Sequence, residues 1–242
     1  ASGISGETCL HAAVLWGKTE LALLLLNEGA LVDQKNQHGA TPLMYAIHNG
    51  NDVVANELRL RGAKEPGLKF RFFHKLSRNE GTDDELIDLL AESRMSVNQE
   101  DFLSGPDSGN TPLYYAVLYS RKKLVTHLLE MGADVNKKHI VAPLEVAVSR
   151  GNLEMAQLLL PCPDAKLNSI NCFGFTLLTM AVHNGDLAMV KLLVEHGADL
   201  SFVDASGITP LEYSRNRKNS EIEEYLLSVV RSQNSSEDEK SD

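Results

Sequence analysis

The chain has 242 residues, of which 43% are hydrophobic and 6% aromatic, enough for one large domain or two small ones. Its formal net charge of -10 argues against a general electrostatic attraction to nucleic acid or anionic membranes and favours a partner with a basic surface. Three cysteines, Cys9, Cys162 and Cys172, are too few and too scattered for a disulfide framework or a zinc module, so reduced thiols are expected.

Neither a membrane span nor a signal peptide is predicted. The longest apolar run, Leu21 to Leu26, is far shorter than the roughly 20 residues that a membrane span needs. The first residues, ASGISG, lack a basic start followed by an apolar segment. We therefore expect a cytoplasmic protein, with the nucleus as the second location.

Along the chain, the same pattern returns with a fixed period. Thr8 and Thr41 are 33 residues apart, and so are Gly17 and Gly50. A repeat of this length is typical of proteins built from stacked supersecondary units. Later copies begin at Gly109, Ala142, Gly174 and Gly207.

Each copy predicts two short helices and a turn. In the second copy, Thr41 offers an N-capping hydroxyl just before Pro42, which suits a first helical turn, and Gly50 ends the helix. Ala46 stands at a position that is alanine in most copies, as expected if neighbouring helices approach closely. Residues 36–39 predict a β-hairpin that leads to the next copy. The second helices carry leucine pairs predicted as core: Leu24/Leu25, Leu128/Leu129, Leu158/Leu159 and Leu192/Leu193.

The T-P-L-x-x-A core and the G-x-x-x-x-V-x-x-L-L-x-x-G-A-D-x-N phrase resemble the ankyrin repeat. The resemblance implies an all-α repeat solenoid of helix-turn-helix units with β-hairpin loops, in which each unit needs its neighbours to bury its helices. It covers residues 1–230 as about seven repeats, the third (near 66–98) degenerate and the seventh (near 202–230) a C-terminal cap. Residues 231–242 are polar and acidic and are predicted to form a disordered tail.

The third repeat departs most from the pattern and separates its charges. Its first helix, LKFRFFHKLSR, lacks both the Thr-Pro start and the alanine. Two interpretations stay open: an amphipathic pair with solvated faces, or a basic patch that contacts an acidic partner segment, with nucleic acid a weaker third. The basic residues are Arg59, Arg61, Lys64, Lys69, Arg71, Lys75 and Arg78, and the acidic run is Glu80, Asp83, Asp84, Glu85 and Asp88.

The resemblance also implies where a partner binds. In ankyrin proteins the partner usually lies on a concave side made by the hairpin tips and the outward positions of the first helices. By phase, these positions are Leu15, Trp16, Gln37, His38, His48, Asn49, Leu118, Tyr119, Lys138, His139, Arg150, Phe173, Phe175, His183, Asn184, Asn216 and Arg217.

Among these residues the aromatic ones are the expected binding anchors. Trp16 either contacts a partner or packs on a preceding repeat or a neighbouring molecule. Phe173 and Phe175 flank Gly174 and either contact a partner or pack between hairpins.

No catalytic, metal or cofactor motif is visible. The chain has eight histidines, yet it contains no HExxH, GxSxG or GxxxxGK motif, and the spacing of Cys162 and Cys172 fits no standard zinc site. The resemblance implies that His11 bridges loops by hydrogen bonds. We therefore predict a protein without enzymatic activity, metal or cofactor.

The predicted function is that of a protein-protein interaction module, acting as an adaptor, scaffold or inhibitor. The sequence does not identify the partner protein. The chain itself is expected to be a monomer. The alternatives are the ankyrin segment of a larger protein or microbial effector and, less favoured, a binder of nucleic acid, lipid or small molecules. The resemblance also implies a hydroxylation site at Asn136, which looks like the hairpin asparagine modified by the factor-inhibiting asparaginyl hydroxylase. Asn98 and Asn168 match that asparagine less well.

Overall fold

The computed structural model describes residues 6–101, 109–138 and 140–238, which form fourteen helices and no strand. The chain divides after Tyr115 into two compact units. The helices of the first unit are α1 (Cys9–Leu15), α2 (Thr19–Asn27), α3 (Pro42–His48), α4 (Asp52–Leu60), α5 (Leu68–Ser77) and α6 (Asp83–Ser93). Helix α7 (Pro112–Leu118) crosses the boundary, and the second unit continues with α8 (Lys122–Glu130), α9 (Pro143–Ser149), α10 (Leu153–Leu159), α11 (Leu177–Asn184), α12 (Leu187–Glu195), α13 (Pro210–Asn216) and α14 (Ser220–Asp238).

Helix pairing within each unit follows the predicted repeats. In the first unit α1 packs against α2 and α3, α2 packs against α4, and α5 packs against α6. In the second unit α9 packs against α10 and α11, and α13 packs against α11 and α14. This pairing within and between successive repeats confirms the all-α repeat class.

The first helices start where the threonines predicted. The hydroxyls of Thr8, Thr41, Thr176 and Thr209 each accept a hydrogen bond from the backbone three residues later, and Pro42 and Pro210 occupy the first helical turn. A cap of this kind contributes about 1 kcal/mol to helix stability. The Thr-containing motif therefore acts as a repeated helix start.

The small residues predicted at the helix interface are buried. Ala13, Ala46, Ala116, Ala147 and Ala181 are all at most 3% exposed. Their lack of bulk lets helices of neighbouring repeats pack closely, as the contacts of α1 with α3 and of α9 with α11 require.

The predicted leucine core is only partly correct, because one member of each of the pairs Leu128/Leu129 and Leu158/Leu159, namely Leu129 and Leu158, is half-buried. Leu192 and Leu193 are buried, whereas Leu24 is 56% exposed and Leu25 is half-buried. The prediction for Leu24 is wrong because α2 turns Ala22 and Leu26 toward its neighbours α1 and α4 and leaves the side that carries Leu24 in solvent.

The degenerate third repeat forms a complete helix pair, α5 and α6. Phe70, Phe72, Phe73 and Leu76 of α5 are at most 3% exposed, so bulky side chains fill the space in place of the motif's alanine. Helix α5 has Gly67 at its N-cap and no side-chain capping bond. The tertiary contacts of the phenylalanines hold this helix without the local start signal.

The loops between repeats form turns, not the paired strands expected from the β-hairpin prediction. In the second repeat the Asn36 backbone N–H donates to the Ala40 carbonyl (3.0 Å), and the Gly39 N–H donates to the Asn36 carbonyl (3.0 Å). These two backbone hydrogen bonds close the turn, and no strand pairing continues from them in the described residues. At the other end of the chain, helix α14 runs to Asp238 and so extends past residue 231, where the acidic tail was predicted to begin.

Candidate functional site

The predicted binding residues differ widely in exposure. Trp16 (67%) and Phe173 (73%) are the most exposed aromatic side chains of the described residues. Gln37, His38, Asn49, Lys138, Arg150, Asn184, Asn216 and Arg217 are exposed, and Leu15, His48, Leu118, Tyr119, Phe175 and His183 are half-buried. His139 lies outside the described residues.

Several predicted binding residues at the ends of the first helices also tie neighbouring repeats together. The Asn49 side-chain amide donates to the carbonyls of Val14 (3.2 Å) and Leu15 (3.0 Å) at the end of the preceding first helix. Asn184 donates to Val148 and Ser149, at 3.4 Å each. These bonds satisfy carbonyls that a helix leaves unpaired at its C-terminal end.

Two arginines make the same link. The Arg217 guanidinium donates to the carbonyl of His183 (3.1 Å), and Arg78 of the third repeat donates to the carbonyl of His48 (3.1 Å). Sequence reasoning missed this role, although Asn49, Asn184 and Arg217 each follow the capping residue by eight positions. The polar residues at this position of the repeat therefore stabilise the packing of neighbouring repeats, besides any contact with a partner.

Trp16 occupies the same phase in the first repeat, eight residues after Thr8. Its backbone caps α1 by donating to the carbonyl of Ala12, while its side chain stays in solvent. An indole of this exposure offers a large apolar surface with a polar N–H edge, the combination that often anchors interfaces.

His48 and His74 form a half-buried pair in the first unit. Their rings meet edge to face at 5.7 Å, and the Nδ1 atom of each has no hydrogen-bond partner among the described residues. Burial, with smaller contributions from His74 and Arg78, lowers the pKa of His48 to about 4. Burial also lowers the pKa of His74. His48 is therefore neutral at physiological pH. Its ring packs against His74 and is only partly available to a partner.

Phe173 and Phe175 have different environments although they share one loop. Phe175 is half-buried and packs near the rings of His183 (5.7 Å) and Tyr213 (5.9 Å), and the His183 Nδ1 atom lies 2.8 Å from the Tyr213 hydroxyl. Asn171 fixes the loop because its side-chain oxygen accepts from the backbone N–H groups of Phe173 (2.9 Å) and Phe175 (3.0 Å).

An apolar recess lies beside this loop. Its volume is about 300 Å³. Phe173 lines it with an exposed ring while Phe175 joins the half-buried cluster, so the loop presents one outer and one inner aromatic residue. The lining residues are Val141, Glu145, Ser149, Asn171, Phe173, Phe175, Met180 and His183. We call this feature the aromatic recess.

Glu145 is the buried charged residue of the aromatic recess. It is 5% exposed, its Oε1 atom lies 3.5 Å from the Lys138 ammonium, and its Oε2 atom has no hydrogen-bond partner among the described residues. Sequence reasoning missed it. The available signal was that Ala142 replaces the capping threonine of this repeat, which leaves the acid three residues later without a hydroxyl partner.

Asn136 links two repeats through both ends of its side-chain amide. Its nitrogen donates to the Asp164 carbonyl (2.7 Å), and its oxygen accepts from the Lys166 backbone N–H (3.1 Å). The asparagine predicted for hydroxylation is thus half-buried and hydrogen-bonded in this conformation.

Most of the basic side chains around the third repeat are paired within the chain. Arg59 binds Glu65 (2.6 Å) and Lys75 binds Glu85 (2.9 Å). Arg61 binds Glu57 (2.7 Å) and also the Asn27 side chain (2.7 Å). This pairing favours the interpretation of solvated, internally balanced faces over an open basic patch.

Within the described ranges, no helix is long and apolar enough to cross a membrane. In the same part of the chain, no group of three or more His, Cys, Asp or Glu side chains is arranged to hold a metal ion.

Comparison with protein families finds two matching models. The model "Ankyrin repeats (3 copies)" matches residues 2–65 and 144–237, and the model "Ankyrin repeat" matches residues 108–140. Together they cover more than half of the chain and leave out the degenerate third repeat.

Curated relatives come from distant organisms. An ankyrin repeat protein of Fowlpox virus is 31% identical over 131 residues, 53% of this chain and 88% of the viral protein. The transient receptor potential cation channel subfamily A member 1 of Homo sapiens is 29% identical over 86% of this chain, which spans only 19% of the channel. The B-cell lymphoma 3 protein homolog of Mus musculus is 28% identical over 88% of this chain and 40% of its own length.

Proposed function

This chain belongs to the ankyrin repeat family, and we propose that its function is to bind a partner protein as an adaptor, scaffold or inhibitor. Ankyrin repeats are generally protein-protein interaction modules, and the family's fold is non-enzymatic. The binding positions are the loop tips and the outward residues of the first helices, as predicted by phase.

The observation that carries this proposal is the exposed ring of Phe173 beside the aromatic recess. The Phe173 side chain is 73% exposed and lies next to a recess of about 300 Å³ with half-buried aromatic walls. In the unbound protein this apolar surface is in contact with water, which is unfavourable. Docking a partner side chain there removes that surface from water. The loop is already held by Asn171, so little ordering entropy is lost on binding.

In the first unit, Trp16 is the corresponding anchor. It combines high exposure with a position at a helix end, where the polar residues of the same phase bridge between repeats. The protein is proposed to act in the cytoplasm or nucleus, as a monomer or as the ankyrin segment of a larger or effector protein.

The test is a quantitative capture experiment with wild-type protein and the double variant Trp16→Ala, Phe173→Ala. We expect the double variant to lose at least about tenfold in partner affinity, since aromatic anchors contribute 2 kcal/mol or more each at interface centres. Partners are identified by mass spectrometry of captured proteins, and the dissociation constant is then measured with the purified partner at low and physiological salt.

Leu60→Ala is the matched control, because Leu60 is 83% exposed on α4 and is outside the proposed surface. Its capture and the melting temperatures of all variants should match wild type. Unchanged affinity of the double variant would refute these anchors. Affinity that does not change with salt would exclude a phosphate-rich ligand.

We also propose Asn136 as a hydroxylation site for the factor-inhibiting asparaginyl hydroxylase. Co-expression with that enzyme, followed by peptide mass spectrometry, should detect one added oxygen on Asn136 and none on an Asn136→Ala variant. An unmodified Asn136 in the presence of active enzyme would exclude this site.

A further inference from the structure

Two glutamates occupy equivalent positions in the chain and have opposite surroundings. Glu145 and Glu212 each stand three residues after the capping position of a first helix. The Glu212 carboxylate accepts from the Thr209 backbone N–H (2.9 Å) and hydroxyl (2.8 Å) and is exposed to water. Glu145 has alanine at its cap and is almost wholly buried.

Among the described residues, the buried Glu145 carboxylate lacks a hydrogen-bond donor at one of its oxygen atoms. A carboxylate oxygen removed from water without a hydrogen-bond donor costs free energy, and such groups in native proteins usually have a partner. Lys138 reaches Oε1 at 3.5 Å, beyond the 2.7–2.9 Å of a strong charge-assisted bond, and Oε2 has no donor among the described residues. What Oε2 lacks within the described ranges is a hydrogen-bond donor, and a cationic donor makes the stronger bond to a carboxylate.

Two recesses border Glu145. Glu145 lines both the aromatic recess and a second recess of about 170 Å³. Lys138 and Lys166 line only the second recess. In the described part of the chain, the aromatic recess therefore holds the acid and the two phenylalanines but no lysine or arginine in its lining.

We propose that the aromatic recess receives an arginine side chain of the partner protein, with Glu145 as the anion that binds it. This inference rests on the proposed function and names the chemistry of its partner. A guanidinium is planar, stacks on aromatic rings such as Phe173 and Phe175, and donates to a carboxylate in the same plane. A basic partner also suits the net charge of -10.

The proposal assigns separate roles to the residues of the recess. Phe173 and Phe175 contact the apolar stem and the face of the guanidinium, and Glu145 accepts its N–H groups. Lysine fits less well because an ammonium lacks the planar face. Binding proceeds without covalent change.

The experiment uses the whole chain and three synthetic probes, so it needs no identified partner. The probes are acetylated and amidated tripeptides with leucine at both ends and arginine, citrulline or lysine at the centre. Citrulline has the shape of arginine without its charge. Titrations are followed by the backbone amide signals of Glu145, Phe173 and Phe175 in two-dimensional nuclear magnetic resonance spectra.

We expect the arginine peptide to bind wild-type protein at least about tenfold more tightly than the citrulline peptide, since one charge-assisted bond in a desolvated site is worth about a factor of ten or more. Glu145→Gln should weaken the arginine peptide by a similar factor and leave the citrulline peptide unchanged. Glu212→Gln, the same substitution at the equivalent exposed position, should change neither. Phe173→Ala should weaken both peptides.

Each other result overturns the arginine site. Equal binding of the arginine and citrulline peptides, lost in Phe173→Ala, would leave the apolar surface of the proposed function intact and remove the role of Glu145. No saturable shift with any peptide would also reject the site, and the capture experiment with Trp16 and Phe173 would still decide the proposed function. The citrulline comparison needs no variant, so it holds even if Glu145→Gln does not fold.

Discussion

The third and sixth repeats form the same helix pair from different local sequences. The sixth, α11 and α12, begins at a threonine with a reciprocal cap and buries Ala181 where the motif requires a small residue. The third, α5 and α6, begins at Gly67 without a side-chain cap and buries three phenylalanines in α5. Helix start signals and core filling are therefore separate ways of stabilising one architecture.

The largest expected effect is on the core of the third repeat. Phe72→Ala removes a fully buried ring from α5 and should destabilise the first unit by about 3–5 kcal/mol, because it leaves a cavity that the helices fill only partly. Native-state hydrogen exchange of α5 and α6 amides measures this loss. Phe173→Ala, which removes an exposed ring, should leave exchange in the second unit unchanged. A cost for Phe72→Ala below about 1 kcal/mol would contradict the assigned core.

The next effect is a pH dependence of the first unit, which contains the third repeat. The pKa of His48 in the folded state is about 4, below the 6.5 of the unfolded chain, so the unfolded state binds the extra proton between these values. The contribution of His48 to the stability of the first unit should be fully present above about pH 6.5. It should be lost as the pH drops to 4; the full shift corresponds to about 3 kcal/mol, which solvent screening of the partly exposed ring reduces to roughly 2 kcal/mol. Urea unfolding at several pH values measures the slope.

His48→Gln is the control for that slope. It should flatten the decline between pH 6.5 and 4, leaving the contributions of His74 and His11, whose pKa values burial also lowers. An unchanged slope would show that other groups control the acid response.

The smallest effect concerns the helix starts. Thr176→Ala removes a cap whose hydroxyl accepts from the Thr179 N–H at 3.0 Å, and it should cost the second unit about 1 kcal/mol.

Gly67→Ser supplies a cap that the third repeat lacks and should gain a few tenths of a kcal/mol, since added atoms at Gly67 meet no neighbour within 4 Å. Thermal unfolding compares the two. A lower unfolding temperature for Gly67→Ser than for wild type would show that the start of α5 depends on glycine.

Much of the architecture was predictable from short-range patterns. The spacing of Thr8 and Thr41 predicted helix starts, and the threonine caps confirm it. The buried alanines followed from their phase. The candidate anchors Trp16 and Phe173 were also selected by phase and are strongly exposed, while their role in binding stays a prediction.

Other features depended on neighbours that are distant in sequence. The exposure of Leu24, the bridges made by Asn49, and the pairing of Arg61 with groups on α2 are set by which helices pack together. The unpaired Oε2 atom of Glu145 is of the same kind, because a residue's burial depends on the elements around it.

By itself, the sequence determined the period, the helix starts and the membership of a repeat family, because caps, turns and helical phase involve residues within a few positions of each other. Only the tertiary structure decided which apolar side chains are buried, which charges are paired and which acid lacks a partner. Those properties arise from contacts between repeats about 33 residues apart, where packing and desolvation replace local preference as the controlling terms.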